Sequence, residues 1–510
     1  MKSVFFTILI VLVSLSGINA QSPTYSEDVA EIIYNNCTSC HKTGGIAPFT
    51  LESYSDAFTY RSLIAGSVSA GVMPPWPPDV NYTSFHGERT LTDAEIITIN
   101  EWVTSGAAEG NSSLAPPVPT FPVGKIIAAE PDLTLQMQTY TSQAVTEDEY
   151  ACFAIPTGLT SDRMLRAIEV IPGNQEIVHH AVIISSPTNT SNCLTAAVSG
   201  QTITGYAPGA PPTIFPSGTG LDLGMKIKAG SYILMQMHYP KGTAGQKDST
   251  SINLYFYPES KTDVREVRTG PHVMDWSIMI PADSVKTFTA QHTPVEDISI
   301  LAVFPHMHLV GRKMKSYAVT PANDTIPLVN IEEWDFHWQG FYTYKNLIKI
   351  PVGSVIYGHA TYDNTSNNHH HPYYPDPPQD IYAGEATTDE MFLISYQSLP
   401  YVEGDENFDL TQMLTVSVDD RPLVNKSELS VQAYPNPTEG QFDIFGWNGG
   451  NSNEKTQIII QDVLGKIISV TDVANSSSIH VDLSKYQDGI YQVNLSNGEY
   501  YATKKIVLIR

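Results

Sequence analysis

Tyr232-Ile233-Leu234-Met235-Gln236-Met237-His238 and Ile298-Ser299-Ile300-Leu301-Ala302-Val303-Phe304 decide the fold. Both runs are short, apolar and rich in strand-forming residues. Gly230 and Pro240 bound the first, Asp297 and Pro305 the second, and neither carries a helix-length period. Ala181-Val182-Ile183-Ile184 repeats the pattern. Such segments follow one another from about 125 to 420, broken by Pro and Gly. The expectation is two jelly-roll-like β-sandwiches, 125–275 and 276–420, of roughly 150 residues each.

On either side the pattern changes. Ser26-Glu27-Asp28 before Val29, Ile32 and Ile33 reads as a helix start, and so does Thr92-Asp93-Ala94-Glu95 before Ile96, Ile97, Ile99 and Trp102. Residues 21–114 are therefore expected to form a small α-helical domain. The Pro-rich stretch 115–124 reads as a stiff linker, and 421–430 as a polar connection. Residues 431–510 return to strands, such as Ile458-Ile459-Ile460, with Gly and Asn turns. The fold class expected is mainly β and multidomain, as 510 residues require.

Residues 1–20 read as a secretory signal. Lys2 is followed by an apolar run from Val4 to Leu15, too short to span a bilayer, and small residues lead to Ala20. No other stretch has the length and apolarity of a membrane helix, so no membrane span is expected. A net charge of −25 argues against nucleic acid and anionic membrane surfaces as partners.

Export places the four cysteines in an oxidising compartment. Cys37-Thr38-Ser39-Cys40-His41 is a haem-attachment signature: two thiols on one turn add to the haem vinyl groups, and His41 is aimed at the iron. One covalent haem c is expected. Its sixth ligand is Met73, in Gly71-Val72-Met73-Pro74-Pro75-Trp76, with His86 the competing choice. Cys152 and Cys193, which bracket His179-His180, remain for a disulfide or as two buried thiols.

The histidines form a second pattern. Adjacent residues on a strand point to opposite faces, so His179 and His180 can share a metal only where the strand ends, twists or reaches a rim; one would then use a different ring nitrogen from the other. His306 and His308, spaced by two, point the same way from one strand. Imidazoles with a thioether and no carboxylate suit copper cycling between Cu(II) and Cu(I) better than zinc. Asn367-Asn368-His369-His370-His371-Pro372 lies in a Pro/Asn/Tyr-rich stretch and reads as a surface loop. His337 and His359 are left between outer hydrogen-bonding roles and packing.

The segments Ile177-Val178-His179-His180, Met237-His238-Tyr239-Pro240, His306-Met307-His308-Leu309-Val310-Gly311 and Thr388-Asp389-Glu390-Met391 resemble the copper type II, ascorbate-dependent monooxygenases. That is the family of peptidylglycine α-hydroxylating and dopamine β-monooxygenases. Gly205-Tyr206-Ala207-Pro208-Gly209-Ala210 and Ala229-Gly230 match it too, and the resemblance covers about 125–420. It implies two copper ions across a solvent-filled cleft. His179, His180 and His238 would hold the electron-storing copper; His306, His308 and Met391 would hold the one where dioxygen meets substrate. It also supports a Cys152–Cys193 disulfide.

Where the peptide-amidating members carry an Arg two residues before the His-x-His pair, this chain has Phe304. Their Tyr and Asn after the Met ligand have no match in Phe392-Leu393-Ile394-Ser395, so a glycine-extended peptide is not the expected substrate, and Phe304 hints at an apolar or aromatic one. Tyr434-Pro435-Asn436-Pro437 and Lys504-Lys505 resemble the C-terminal sorting domain of the type IX secretion pathway, which implies passage through the periplasm and the secretion machinery as a partner. The expected function is a secreted, haem-coupled dicopper monooxygenase hydroxylating a C–H bond of a small organic substrate with O2. An ascorbate-like reductant or a redox protein would be the external donor. The competing function is a surface redox-relay or copper-binding protein without oxygenase turnover.

Overall fold

The computed structural model describes residues 22–510 except 46, 120–124, 128, 194–195, 197–199, 210, 219, 385, 415–426, 429–430, 448–455, 463–466, 474–477 and 497–499. The expected signal, most of the second connection and half of the Pro-rich linker thus lie outside the described residues. The chain divides into two units, Met1–Ser417 and Val418–Arg510. Its strands far outnumber its helices, and the fold is mainly β and multidomain.

Helices Ala30–Asn36, Tyr54–Ser69 and Asp93–Thr104 pack around Val29, Ile33, Ile99 and Trp102, all fully buried. A capping box starts the last helix: the Glu95 N–H donates to Thr92 Oγ1 at 3.2 Å, and the Thr92 N–H donates to Glu95 Oε2 at 2.7 Å. The middle helix starts on Ser53, whose hydroxyl accepts from the Asp56 N–H at 3.1 Å. It carries no clear apolar stripe, and periodicity did not single it out.

The two sandwiches share one sheet. Arg265–Met274 pairs in parallel with Leu221–Ile227 and antiparallel with Leu393–Pro400, joining the strands into a continuous ten-stranded sheet. A four-stranded sheet faces each half. The first comprises Glu149–Pro156, Tyr232–Tyr239, His180–Ser186 and Gln201–Tyr206; the second comprises Ser284–His292, Val355–Asn364, Gly311–Val319 and Thr325–Ile331. Cys152 and Cys193 form a disulfide, which resolves the alternatives left by the cysteine count.

The segment between the second and third helices is inserted into the second sandwich. Phe85 is fully buried in that core, 5.0 Å from the Tyr344 ring, and the Trp76 ring meets Tyr342 edge-on at 5.3 Å. The His86 N–H donates to Thr343 O at 2.7 Å and the Asp79 N–H to Asn330 O at 2.8 Å. Those bonds hold the helical part against the β-structure independently of the Pro-rich linker.

The unit Val418–Arg510 has its own core around Phe442, Trp447, Val493 and Ile506 between a five-stranded and a three-stranded sheet. The Trp447 indole N–H donates to Thr456 Oγ1 at 2.8 Å.

Candidate metal and haem sites

The strand His180–Ser186 begins at its first histidine, so His179 precedes the ladder and escapes its alternation. His180 pairs directly across from His238, and the His179 N–H donates to His238 O at 3.1 Å. Three imidazoles are thereby gathered, the one such group among the described residues. His238 Nδ1 lies 3.0 Å from His180 Nδ1, which lies 3.3 Å from His179 Nδ1. His179 and His180 present the same ring nitrogen, which corrects the expectation that they would differ. The strand start, not the choice of nitrogen, resolves the geometry. Nitrogens spaced so closely form the edges expected around an ion with bonds of about 2.0–2.1 Å.

Burial foremost, then the neighbouring imidazoles, lowers His179 to about 4 and drives His180 well below its ordinary value. His238 is also lowered by burial, against the pull of Asp148. Near neutral pH the rings are uncharged and their lone pairs are available to a metal. Asp148 Oδ2 stands 3.0 Å from His238 Nε2. Burial works to raise the Asp148 carboxyl, but the bonds from His238 and the Lys241 N–H hold it at about 2. A carboxylate this close favours the proton on Nε2 and leaves Nδ1, which faces the other two imidazoles, free for a metal. Tyr150, opposite His238 in the ladder, stacks on its ring at 4.5 Å. Asp148→Asn is expected to weaken copper binding at this cluster by about 10–100-fold while sparing the second site. Copper titration followed by EPR measures it, and equal affinity in the variant would refute the role.

His306 ends the strand Ile298–His306, and His308 follows just beyond it rather than on the same strand as expected. Their rings are nearly perpendicular, 5.1 Å apart. His306 Nδ1 donates to Gln339 Oε1, and His308 Nδ1 donates to Asp389 O at 3.0 Å. Both Nε2 atoms are thus left for a metal, the opposite choice from the first cluster. Burial, then the His308 charge, takes His306 to about 3; burial takes His308 to about 4.

Met391 is brought alongside by Glu390. This carboxylate accepts the N–H of His308 at 2.9 Å, of Val310 at 2.8 Å and of Met391 at 3.1 Å. Burial raises it to about 8 against those donors and the Gly311 N–H. Two imidazoles and a thioether, with no carboxylate among them, fit a copper ion of either state.

One cavity of about 650 Å³ joins the two donor sets, with His180 on one wall and His306, His308 and Met391 on the other. Asp148, Tyr150, Gln339 and the clamp of Glu390 escaped sequence reasoning. Asp148-x-Tyr150-x-Cys152, at the start of the strand Glu149–Pro156 that pairs with the His238 strand, was the available signal for the first two.

A second cavity, of about 550 Å³, is walled by Cys37, Cys40, His41 and Met73 together with Leu51, Ile64 and Val68. Both thiols are free. His41 Nδ1 bonds Phe49 O at 3.0 Å, leaving Nε2, and burial lowers its pKa. Two thiols, a neutral imidazole and a thioether around an apolar hollow fit a covalent haem. His86 is not among its walls; its backbone is bonded to the second sandwich. His179 and Trp338 wall this cavity from the β-sandwich side. Cys40 Sγ also approaches Pro208 O at 3.4 Å. At Gly209, φ +74°, a Cβ would meet Cys40 Sγ at 3.2 Å, so this close approach needs glycine.

The remaining histidines divide. The His337 ring is 5.8 Å from His179, and its Nδ1 is held by Asp335 at 2.9 Å. His359 bonds Thr289 Oγ1 at 3.0 Å on the outer sheet. The 367–372 stretch is not wholly a surface loop: Asn368 and His371 are buried, and the Asn368 side chain bonds Arg312 and Asp363 O.

Residues 277–401 match the family described as copper type II ascorbate-dependent monooxygenase, C-terminal domain, and residues 432–509 match the secretion system C-terminal sorting domain. Tyramine beta-hydroxylase of Caenorhabditis briggsae is 22% identical over 223 residues, 38% of this chain and 36% of that protein. Dopamine beta-hydroxylase of Rattus norvegicus is 24% identical over 253 residues, 44% of this chain and 40% of that protein. DBH-like monooxygenase protein 2 of Mus musculus is 21% identical over 323 residues, 58% and 49% of the two. The chain thus spans between about a third and a half of the length of these relatives. Residues 277–401 are thus similar to the C-terminal domain of the copper type II ascorbate-dependent monooxygenases, and residues 432–509 to a secretion sorting domain.

Proposed function

We propose that the protein is an exported, haem-coupled dicopper monooxygenase acting on a small organic substrate. The observation that carries this reading is the double placement of the His179-His180 pair. His180 faces the cleft shared with His306, His308 and Met391, while His179 faces the cavity of the haem-attachment motif. Copper at the two sites would supply the two electrons needed to insert one oxygen atom of O2 into a C–H bond, the other leaving as water. Haem c, held by Cys37, Cys40, His41 and Met73, would supply electrons to the first copper from an external donor, either an ascorbate-like reductant or a redox protein.

The chain's own residues set the conditions for that chemistry. Asp148, Gln339 and Asp389 O fix the imidazole tautomers. Glu390 draws the turn after His306 onto Met391. We assign 1–20 to a signal peptide, 21–114 to a c-type cytochrome domain, 125–275 and 276–420 to the monooxygenase, and 431–510 to the type IX sorting domain, with export through the periplasm. Residues 115–124 and 421–430 are the linkers.

The purified holoprotein should carry one covalent haem and two coppers per chain. Metal analysis and a pyridine haemochrome assay measure both. One copper, zinc in its place, or haem that extracts into acidic acetone would contradict the reading.

A further inference from the structure

The walls of the cleft narrow the substrate class. Resting on the monooxygenase reading, we infer that the substrate is an uncharged aromatic molecule whose ring stacks on Phe304 and whose hydroxyl or carbonyl group reaches the His272–Ser395 pair.

Phe304 is 8% exposed, and its ring lies nearly parallel to His306 at 5.9 Å and to Phe341 at 4.9 Å. It borders the main cavity and also a recess of about 50 Å³ behind it, walled further by Gln236, His272, Leu393 and Ser395. The recess is too small for a ring but admits an oxygen substituent, since a water takes roughly 30 Å³ of liquid. His272 Nδ1 is 2.8 Å from Ser395 Oγ. With that hydroxyl donating to Nδ1, Nε2 carries the proton and is left as a donor. Burial lowers the His272 pKa and keeps the ring neutral. Tyr150, on the same cleft, has a buried hydroxyl with no hydrogen-bond partner.

Charge argues in the same direction. Among the described residues lining the cleft there is no Asp, Glu, Lys or Arg; the ionisable side chains are imidazoles and two tyrosines. An ammonium or carboxylate entering here would lose its hydration without a counter-ion. Bound copper would further repel an ammonium in a low-dielectric cleft. Glu385, next to the lining residue Ala386, lies outside the described residues and is therefore included in the test.

The matched probes are 2-phenylethanol, phenethylamine and phenylacetate, titrated calorimetrically into the anaerobic full-length holoprotein at pH 7 and again after chelation of copper. The expected result is binding of the alcohol at least tenfold tighter than of either ion in both states. Phe304→Leu should lose about tenfold for the alcohol with the thermal midpoint retained, and Ser395→Ala should lose less. Amine binding equal to or tighter than the alcohol overturns the inference, and its loss in Glu385→Gln would identify the missing counter-ion. If the alcohol is preferred but copper-loaded, reduced protein consumes no O2 with it or with its ring-substituted analogues, the neutral-ligand preference stands and the monooxygenase reading falls.

Discussion

Met391→Ile is expected to abolish substrate-dependent O2 consumption and to leave the copper proposed at His179, His180 and His238 in place. Isoleucine keeps the apolar bulk that the 3% exposed Met391 contributes, so the fold should tolerate the change. The thioether is lost, and with it the soft ligand that favours Cu(I). The fall should exceed the roughly 10–100-fold typical of losing a ligand's outer hydrogen-bond partner. The three-imidazole cluster depends on the His180–His238 pairing in a different sheet, with nitrogens 3.0 and 3.3 Å apart independently of Met391. Metal analysis, EPR and an oxygen electrode measure the three quantities. Loss of both coppers, or turnover near that of the parent protein, would mean that the donor sets are wrongly divided.

Phe85→Ala should destabilise the second sandwich by about 3–5 kcal/mol, the usual cost of removing a buried Phe. Phe85 has no exposed surface and is packed among Trp76, Tyr342 and Tyr344, at 6.4, 5.6 and 5.0 Å between rings. It lies between the second and third helices and anchors the helical part in the core of the second sandwich. The variant should therefore also expose 74–90 to proteolysis, whereas a conservative Phe85→Leu should expose it less. Because a multidomain chain need not unfold in one step, the midpoint of the sandwich transition is the quantity to compare. An unchanged midpoint and an uncleaved 74–90 segment would show that the linker alone does the holding.

The strands and histidine pairs were legible because their signals are local. A run such as Ile298–His306 declares itself by its own residues, and a metal set by its spacing. The shared sheet was not, since Arg265–Met274 meets Leu221–Ile227 by a parallel pairing that no period in either segment encodes. The Phe85 anchor was hidden for a similar reason: an aromatic in a Pro-rich stretch reads as loop until its distant partners are known. The choice of ring nitrogen at His179 and His180 depends on where one strand starts, a boundary that residue patterns place only loosely. Gln339, Asp389 and Glu390 come from turns, where side-chain direction follows the folded backbone rather than a repeat.

Anaerobic mixing of protein carrying reduced haem and oxidised copper tests the central claim most directly. With His179 walling both the haem-type cavity and the three-imidazole cluster, haem reoxidation should proceed without O2 at a rate independent of protein concentration, and the Cu(II) EPR signal should fall in step. His238→Ala should remove that phase. A rate that scales with concentration, or one that His238→Ala leaves unchanged, would contradict the account.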